Sequence, residues 1–189
     1  MRDKLEEEAN LRGQVRTLHD MPPKSFKRLA EDEAVAFRER LKAQLDLSPP
    51  QRKASRREAL VVSATSWTAD EDFGTLLAAL DAYDEAAAKD DSLSSLSVVI
   101  TGKGPLKANF ETEVQRRQWR HVRARTAWIS REDYARLLGA ADLGISLHAS
   151  SSGVDLPMKA VDMLGADLPV LALRFKWCAA TSLSAIHEG

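Results

Sequence analysis

Cysteine and long apolar runs are almost missing from this 189-residue sequence. The single cysteine, Cys178, excludes an internal disulfide and permits a reducing compartment. No run of about 18 apolar residues exists, as a membrane-spanning helix would need. The first residues, MRDKLEEEAN, are too charged for a signal peptide. The composition therefore predicts a soluble chain unless another segment anchors it.

The sequence also lacks an excess of either charge. It carries 27 lysines and arginines against 28 aspartates and glutamates, which gives a net charge of −1. This balance creates no strong field for a polyanion, so nucleic acid is not expected as a partner. No metal is expected either, because His19, His121 and His187 lack metal-ligand spacing with one another or with Cys178. No cofactor is predicted.

Residues 1–58 form the first predicted segment, a helical or linker region. They are rich in charge and poor in aromatic residues, which favours solvated helix or coil over core. One stretch has apolar residues at helical spacing, namely Phe26, Leu29, Phe37, Leu41 and Leu45. We expect an amphipathic helix there without a partner of its own. It should be loosely held, with its apolar face exposed or laid against the last helix.

From Ala59 the pattern alternates between strands and helices. The predicted strands lie near residues 59–65, 96–101, 122–127, 142–147 and 169–174. Alternation at this spacing predicts a Rossmann-like α/β domain over residues 59–177, with a parallel sheet and helices on both faces. In such sheets ligands bind at the carboxyl ends of the strands, so the loops that follow the strands are the candidate site.

The loop after the fourth strand is the strongest candidate for binding a phosphate. Its small residues Ser151, Ser152 and Gly153 precede a predicted helix that has Asp155 at its N-cap and a proline in its first turn. Free backbone N–H groups and the helix dipole favour an anion at such a position. Lys159 lies one turn beyond Asp155 and either pairs with it or neutralises a diphosphate. Asp162 lies about two turns beyond Asp155, so we expect it to face the pocket.

The loops after the second and the first strand also carry residues that could contact a ligand, and each has an alternative structural role. Gly102, Lys103 and Gly104 follow the second strand and form either a plain glycine turn or a ligand-facing loop; they match neither the dinucleotide fingerprint nor the P-loop. After the first strand, the Ser66 hydroxyl is placed to meet phosphate. Thr68 and Glu71 have the spacing of a capping box, and the acidic residues 70–72 are expected to favour the N-terminus of their own helix.

Two larger side chains end strands at the same predicted edge. Trp128 follows the third strand and either lines the pocket or belongs to the core. His148 ends the fourth strand and is either a substrate contact or a structural histidine.

Four blocks of sequence together resemble one known family. They are SATSWTADEDF (63–73), ITGKGPL (100–106), AWISREDYARLLGAADLGISLH (127–148) and HASSSGVDLPMKAVDMLGADLPV (148–170). In wording and order they are similar to the chitobiosyldiphosphodolichol β-mannosyltransferases, which are GT-B glycosyltransferases. The resemblance covers roughly residues 59–176, the second half of such an enzyme.

The resemblance implies a fold and a set of ligand contacts. The fold would be the C-terminal, donor-binding domain of a GT-B enzyme, incomplete here. The donor would be GDP-mannose, with Asp155 at the sugar, Asp162 at the ribose and Trp128 near the base. The acceptor would be GlcNAc2-diphosphodolichol, with inversion at the transferred mannose. The catalytic base and most of the acceptor site would come from the facing N-terminal domain.

Both ends of the chain depart from the family. Residues 15–26 resemble the crossover between its two domains, but His19-Asp20-Met21-Pro22-Pro23 lacks the usual arginine, and the tail at 178–189 differs from the family. We therefore expect a truncated or alternatively spliced product that is inactive alone. It would act at the cytosolic face of the endoplasmic reticulum membrane, or be soluble in the cytosol if this chain is the whole product. The alternative is a non-catalytic fragment that associates with a full-length glycosyltransferase. A nucleotide-dependent oxidoreductase is disfavoured because the three-glycine fingerprint is absent.

Overall fold

A five-stranded parallel sheet forms the centre of the computed structural model, which describes residue 16 and residues 20–51, 56–148 and 157–173. The strands are β1 (Ala59–Ala64), β2 (Leu96–Thr101), β3 (Val122–Ala127), β4 (Leu143–Ser146) and β5 (Val170–Ala172). Their order across the sheet is β3-β2-β1-β4-β5, and every pair is parallel. The predicted sheet is confirmed.

The central strands form because their side chains are apolar on both faces. β2 is buried along its whole length, and four successive residues of β1 are buried. Val61 pairs with Val98 on one side and with Leu143 on the other, which fixes the register at the middle of the sheet. A run buried on both faces is typical of a parallel sheet covered by helices.

Helices cover both faces of the sheet. They are α1 (Glu31–Leu45), α2 (Phe73–Lys89), α3 (Lys107–Gln115), α4 (Arg131–Ala140) and α5 (Met158–Gly165). Leu60 and Val62 pack with α1, α4 and α5, whereas Val61 between them packs with α2 and α3. The alternation of strand side chains therefore builds two cores, one on each face, and the fold class is Rossmann-like α/β as predicted.

The expectation of an unpartnered N-terminal helix is wrong. Phe26, Phe37 and Leu41 are only 6%, 2% and 4% exposed, and they belong to the same core as α4 and α5. The partner is chiefly α4, whose final carbonyls also accept hydrogen bonds from arginines of this segment. Arg28 donates to the Ala141 carbonyl at 2.5 Å, and Arg38 Nε donates to the Ala140 carbonyl at 2.8 Å. The segment before β1 is thus part of the packed structure.

The predicted domain boundaries at residues 58 and 177 remain predictions. The crossover residues 17–19 and the tail lie outside the described residues. Within the described ranges, no helix is long and apolar enough to cross a membrane.

Candidate functional site

The candidate site lies at the carboxyl edge of the sheet, where the chain changes direction. β1 lies between β2 and β4, where the strand order reverses, and a doubly wound sheet binds its ligands in a crevice at the carboxyl ends of the strands at such a point. We call this position, beside the ends of β1 and β4, the crevice. Backbone hydrogen bonds hold the neighbouring loops together: Thr65 N–H donates to the Thr101 carbonyl at 2.9 Å, and Gly102 N–H donates to the Ala127 carbonyl at 3.2 Å. The first three loops therefore form one continuous rim.

Glu71 fixes the loop after β1 from within. Its side chain is only 2% exposed. One carboxylate oxygen accepts from the Thr65 hydroxyl, from Ser66 N–H at 3.1 Å and from Trp67 N–H at 3.0 Å. A buried carboxylate is tolerated when donors surround it in this way. The loop after β1 is thereby held in one conformation.

Trp67 shows how much this loop is constrained. Its φ of 55° lies in the left-handed region, which is uncommon for a bulky residue. The indole is fully buried, stacks on Phe73 with ring centroids 4.7 Å apart, and contacts Phe110 at 5.2 Å. Burial of three aromatic rings and the bond to Glu71 offset the cost of that backbone conformation.

The glycines after β2 allow this loop to approach. Gly102 has a φ of 135°, and a Cβ on it would lie 1.8 Å from the Thr65 carbonyl oxygen. A Cβ on Gly104 would lie 1.9 Å from the Ser66 carbonyl oxygen. Both positions therefore require glycine for contact between two protein loops. A contact of these glycines with a ligand stays a prediction.

Lys103 and Trp128 come together at the rim. The Lys103 ammonium lies 4.0 Å from the centroid of the Trp128 ring, in a cation–π contact. Trp128 is 64% exposed, so the alternative that it belongs to the core is wrong. The structure thus places an exposed aromatic face and a positive charge side by side at the end of β3.

Lys159 joins the helix after β4 to the loop after β1. Its ammonium donates to the Ser66 hydroxyl at 3.1 Å and to the Glu71 carboxylate at 3.3 Å. Its side chain is 32% exposed, so the charge also faces solvent. Ser66 and Lys159, predicted separately, therefore meet. The predicted pairing of Lys159 with Asp155 is untested.

His148 lies beside the same loop. Its Nδ1 is 3.0 Å from an Asp70 carboxylate oxygen, and its backbone forms a bridge with that of Glu71. The side-chain hydrogen bond with Thr68 lowers the pKa of Asp70, and His148 lowers it further. The histidine has a structural partner at the rim of the crevice, and a substrate contact stays a prediction.

The predicted capping box of Thr68 and Glu71 is wrong. The N-cap of α2 is Asp72, whose carboxylate accepts from Thr75 N–H at 2.9 Å. Hydrogen bonds from Thr75 lower the pKa of Asp72. Among the acidic residues 70–72, capping is therefore confirmed for Asp72 alone. Sequence analysis missed the role of Glu71, and the only signal for it was a carboxylate directly before the cap.

Asp162 lies within α5, close enough to Arg131, the first residue of α4, for their charges to interact. It is half-buried, and burial raises its pKa while Arg131 partly opposes that rise. Burial also raises the pKa of Tyr134, with a smaller contribution from the Asp162 charge. Asp162 is thus neither in the apolar core nor fully in solvent, and its predicted contact with a ribose is untested. The helix N-cap predicted at Asp155 is wrong, because α5 begins at Met158 and Pro157 is its N-cap. The predicted ligand contacts at Ser151, Ser152, Gly153 and Asp155 lie outside the described residues.

The mouse chitobiosyldiphosphodolichol beta-mannosyltransferase is 54% identical to this chain over 125 residues, which are 66% of this chain and 26% of the relative. The human protein of that name is 52% identical over 120 residues, 64% of this chain and 26% of the relative. The Yarrowia lipolytica protein is 44% identical over 160 residues, 84% of this chain and 32% of the relative. This chain is homologous to one part of these mannosyltransferases. The resemblance carried by the four blocks is confirmed.

Other comparisons add less. The chain spans only about a quarter to a third of these relatives. An Arabidopsis thaliana relative, 48% identical over 132 residues, is named UDP-glycosyltransferase TURAN. No family model matches. A trehalose-phosphate synthase structure from Burkholderia xenovorans aligns with a TM-score of 0.49 at 15% identity, covering 79% of this chain and 35% of that chain.

Proposed function

We propose that this chain carries the donor-binding part of a β-mannosyltransferase and that it takes GDP-mannose. The activity it serves is transfer of mannose to GlcNAc2-diphosphodolichol in the synthesis of the N-glycan precursor, at the cytosolic face of the endoplasmic reticulum membrane. One observation carries the proposal beyond homology. The Lys159 ammonium is held at the crevice by Ser66 and Glu71, where a phosphate of the donor would lie.

The chemistry of the transfer explains why a held cation matters. The acceptor hydroxyl oxygen attacks the anomeric carbon, the bond from that carbon to the diphosphate breaks, and a base takes the hydroxyl proton. Negative charge grows on the departing GDP, and positive groups fixed in advance stabilise it. Lys159 supplies such a charge, and Lys103 supplies a second at the same sheet edge. We assign the base and most of the acceptor site to the domain that faces this one in the relatives.

We assign the remaining predicted site residues to the other parts of the donor. The exposed face of Trp128 suits a guanine, since an aromatic ring and a base stack through their apolar faces. Asp162, half-buried in α5 and near Arg131, is assigned to the ribose diol, from which a carboxylate accepts two hydrogen bonds. His148 and Asp155 are assigned to the sugar, and Ser151, Ser152 and Gly153 to the phosphates. We assign Gly102 and Gly104 to the loop that presents Lys103.

The alternative is a non-catalytic fragment that associates with a full-length glycosyltransferase. An apolar helix face without a partner would favour it, but that face is buried against α4. The divergent tail, which would also favour it, lies outside the described residues. The donor-binding proposal does not depend on that helix being exposed.

Calorimetric titration of the chain tests the donor. GDP-mannose and GDP should bind, whereas UDP-glucose and NAD should not. Lys159→Met should weaken GDP binding about tenfold to a hundredfold, the range of a lost charged hydrogen bond. Lys89→Met is the matched control, because this exposed lysine ends α2 at the opposite edge of the sheet. Failure of GDP and GDP-mannose to bind would overturn the proposal, and equal binding of UDP-glucose would overturn the choice of donor.

A further inference from the structure

Glu71 is unusual among the acidic residues at this edge because it is buried and still reaches a cation. One of its carboxylate oxygens is occupied by the Thr65 hydroxyl and by two backbone N–H groups of the loop after β1. The other oxygen accepts from Lys159 at 3.3 Å. Its neighbour Asp72 is exposed and only caps a helix. Glu71 therefore spans two elements that are 88 residues apart in the sequence.

The contact restrains a flexible side chain. A lysine side chain loses rotamer entropy when it is fixed, so a free ammonium would seldom lie at one point. Here two acceptors, Ser66 and Glu71, occupy two of the three N–H groups that an ammonium carries. Among the residues that the structure describes, these are the acceptors of Lys159, which leaves its third N–H for an anion in the crevice. The buried Glu71 carboxylate thus holds the positive charge of Lys159 in place before a ligand binds.

We propose that Glu71 is a positioning residue of the donor site, which holds the Lys159 ammonium where it meets the terminal phosphate of a bound nucleoside diphosphate. The proposal rests on the proposed function, and it adds a residue that does not itself touch the ligand. Its effect is exerted through Lys159, across the crevice between β1 and β4.

A positioning role and a charge effect predict opposite results. Glu71→Gln removes a negative charge near the phosphates, so electrostatic repulsion alone would make GDP bind more tightly. The amide, however, has one acceptor oxygen where the carboxylate has two. If that oxygen keeps the bonds to the loop after β1, an NH2 group faces Lys159, and two donors then oppose each other. The ammonium is displaced, and GDP should bind more weakly.

The experiment is a double-mutant cycle on the full chain, with GDP and GMP titrated by calorimetry. The variants are Glu71→Gln, Lys159→Met and both together, with Asp72→Asn as the matched control for an adjacent carboxylate. Glu71→Gln should weaken GDP binding about tenfold, the loss of one charged hydrogen bond, and leave GMP binding unchanged. In the Lys159→Met background the same change should have no further effect, and Asp72→Asn should have none in either background.

Three results would overturn the proposal while leaving the proposed function intact. They are unchanged or tighter GDP binding by Glu71→Gln, equal losses for GDP and GMP, and a loss that persists in Lys159→Met. If Glu71→Gln does not fold, Glu71→Asp keeps the charge and the acceptors but shortens the side chain by one methylene. That variant should weaken GDP binding selectively, and an unchanged affinity would refute positioning. Wild-type protein that binds neither nucleotide would overturn both proposals.

Discussion

Replacing Phe37 by alanine tests whether α1 is part of the folded core. The ring is 2% exposed and lies in the cluster that joins α1 to α4 and the sheet. Two guanidinium groups, those of Arg40 and Arg136, lie 5.0 Å and 5.5 Å from its centroid. Truncation of a buried phenylalanine costs about 3 to 5 kcal/mol. Each lost cation–π contact adds about 0.5 to 1 kcal/mol at a partly exposed site. We expect a loss near the upper part of the first range, because the two cations share one ring.

Urea denaturation followed by far-UV circular dichroism measures this loss, with Val35→Ala as control. Val35 lies in the same helix but is 48% exposed, so its truncation should cost less than about 0.5 kcal/mol. Amide exchange should show α1 and α4 protected to a similar degree in the wild type. A loss below about 1 kcal/mol for Phe37→Ala, where burial predicts several, would refute the packing argument. Rapid exchange of α1 with slow exchange of the strands would do so independently.

Gly104→Ala should destabilise the protein by about 2 kcal/mol in urea, because its Cβ would lie 1.9 Å from the Ser66 carbonyl oxygen; unchanged stability would show that the loops separate freely. Trp128→Ala should weaken GDP and GMP binding alike and leave pyrophosphate binding unchanged in calorimetry, whereas an equal loss for pyrophosphate would contradict base stacking. Asp162→Asn should stabilise the protein at pH 7. Burial raises the pKa of Asp162 in the folded state, so ionisation of this carboxyl at higher pH destabilises the folded state. The stability gained by Asp162→Asn should therefore vanish below pH 3.8, the ordinary pKa of the carboxyl in the unfolded chain. A gain that persists at pH 3 would contradict this assignment.

The sheet was predictable because its signal is local. The strands around Val61 and Val98 are short apolar runs separated by helical patterns, and both kinds of signal survive without knowledge of the rest of the chain. The parallel arrangement followed from the alternation, and it placed the loops after the strands at one edge. The sequence pattern alone therefore predicts that Ser66, Lys103 and Lys159 lie at that edge.

The contacts of Glu71 were not predictable in the same way. A carboxylate just before a helix is usually stabilised by the helix dipole. The neighbouring sequence does not distinguish such a carboxylate from one that is buried. What turns it inward is the pair of backbone N–H groups at Ser66 and Trp67, together with a lysine 88 residues later. The partner of α1 was hidden for a related reason. An apolar helix face shows that something covers it and does not show which element does.

The N-terminal segment and the candidate site are connected through α4. Arg28 and Arg38 of the N-terminal segment donate hydrogen bonds to the carbonyls at the C-terminal end of α4, which holds α1 against this helix. At its other end, α4 begins after Trp128, and its first turn places Arg131 beside Asp162. The positions assigned to the base and the ribose therefore depend on a helix that α1 holds from behind. This gives the buried face of α1 a consequence at the carboxyl edge of the sheet.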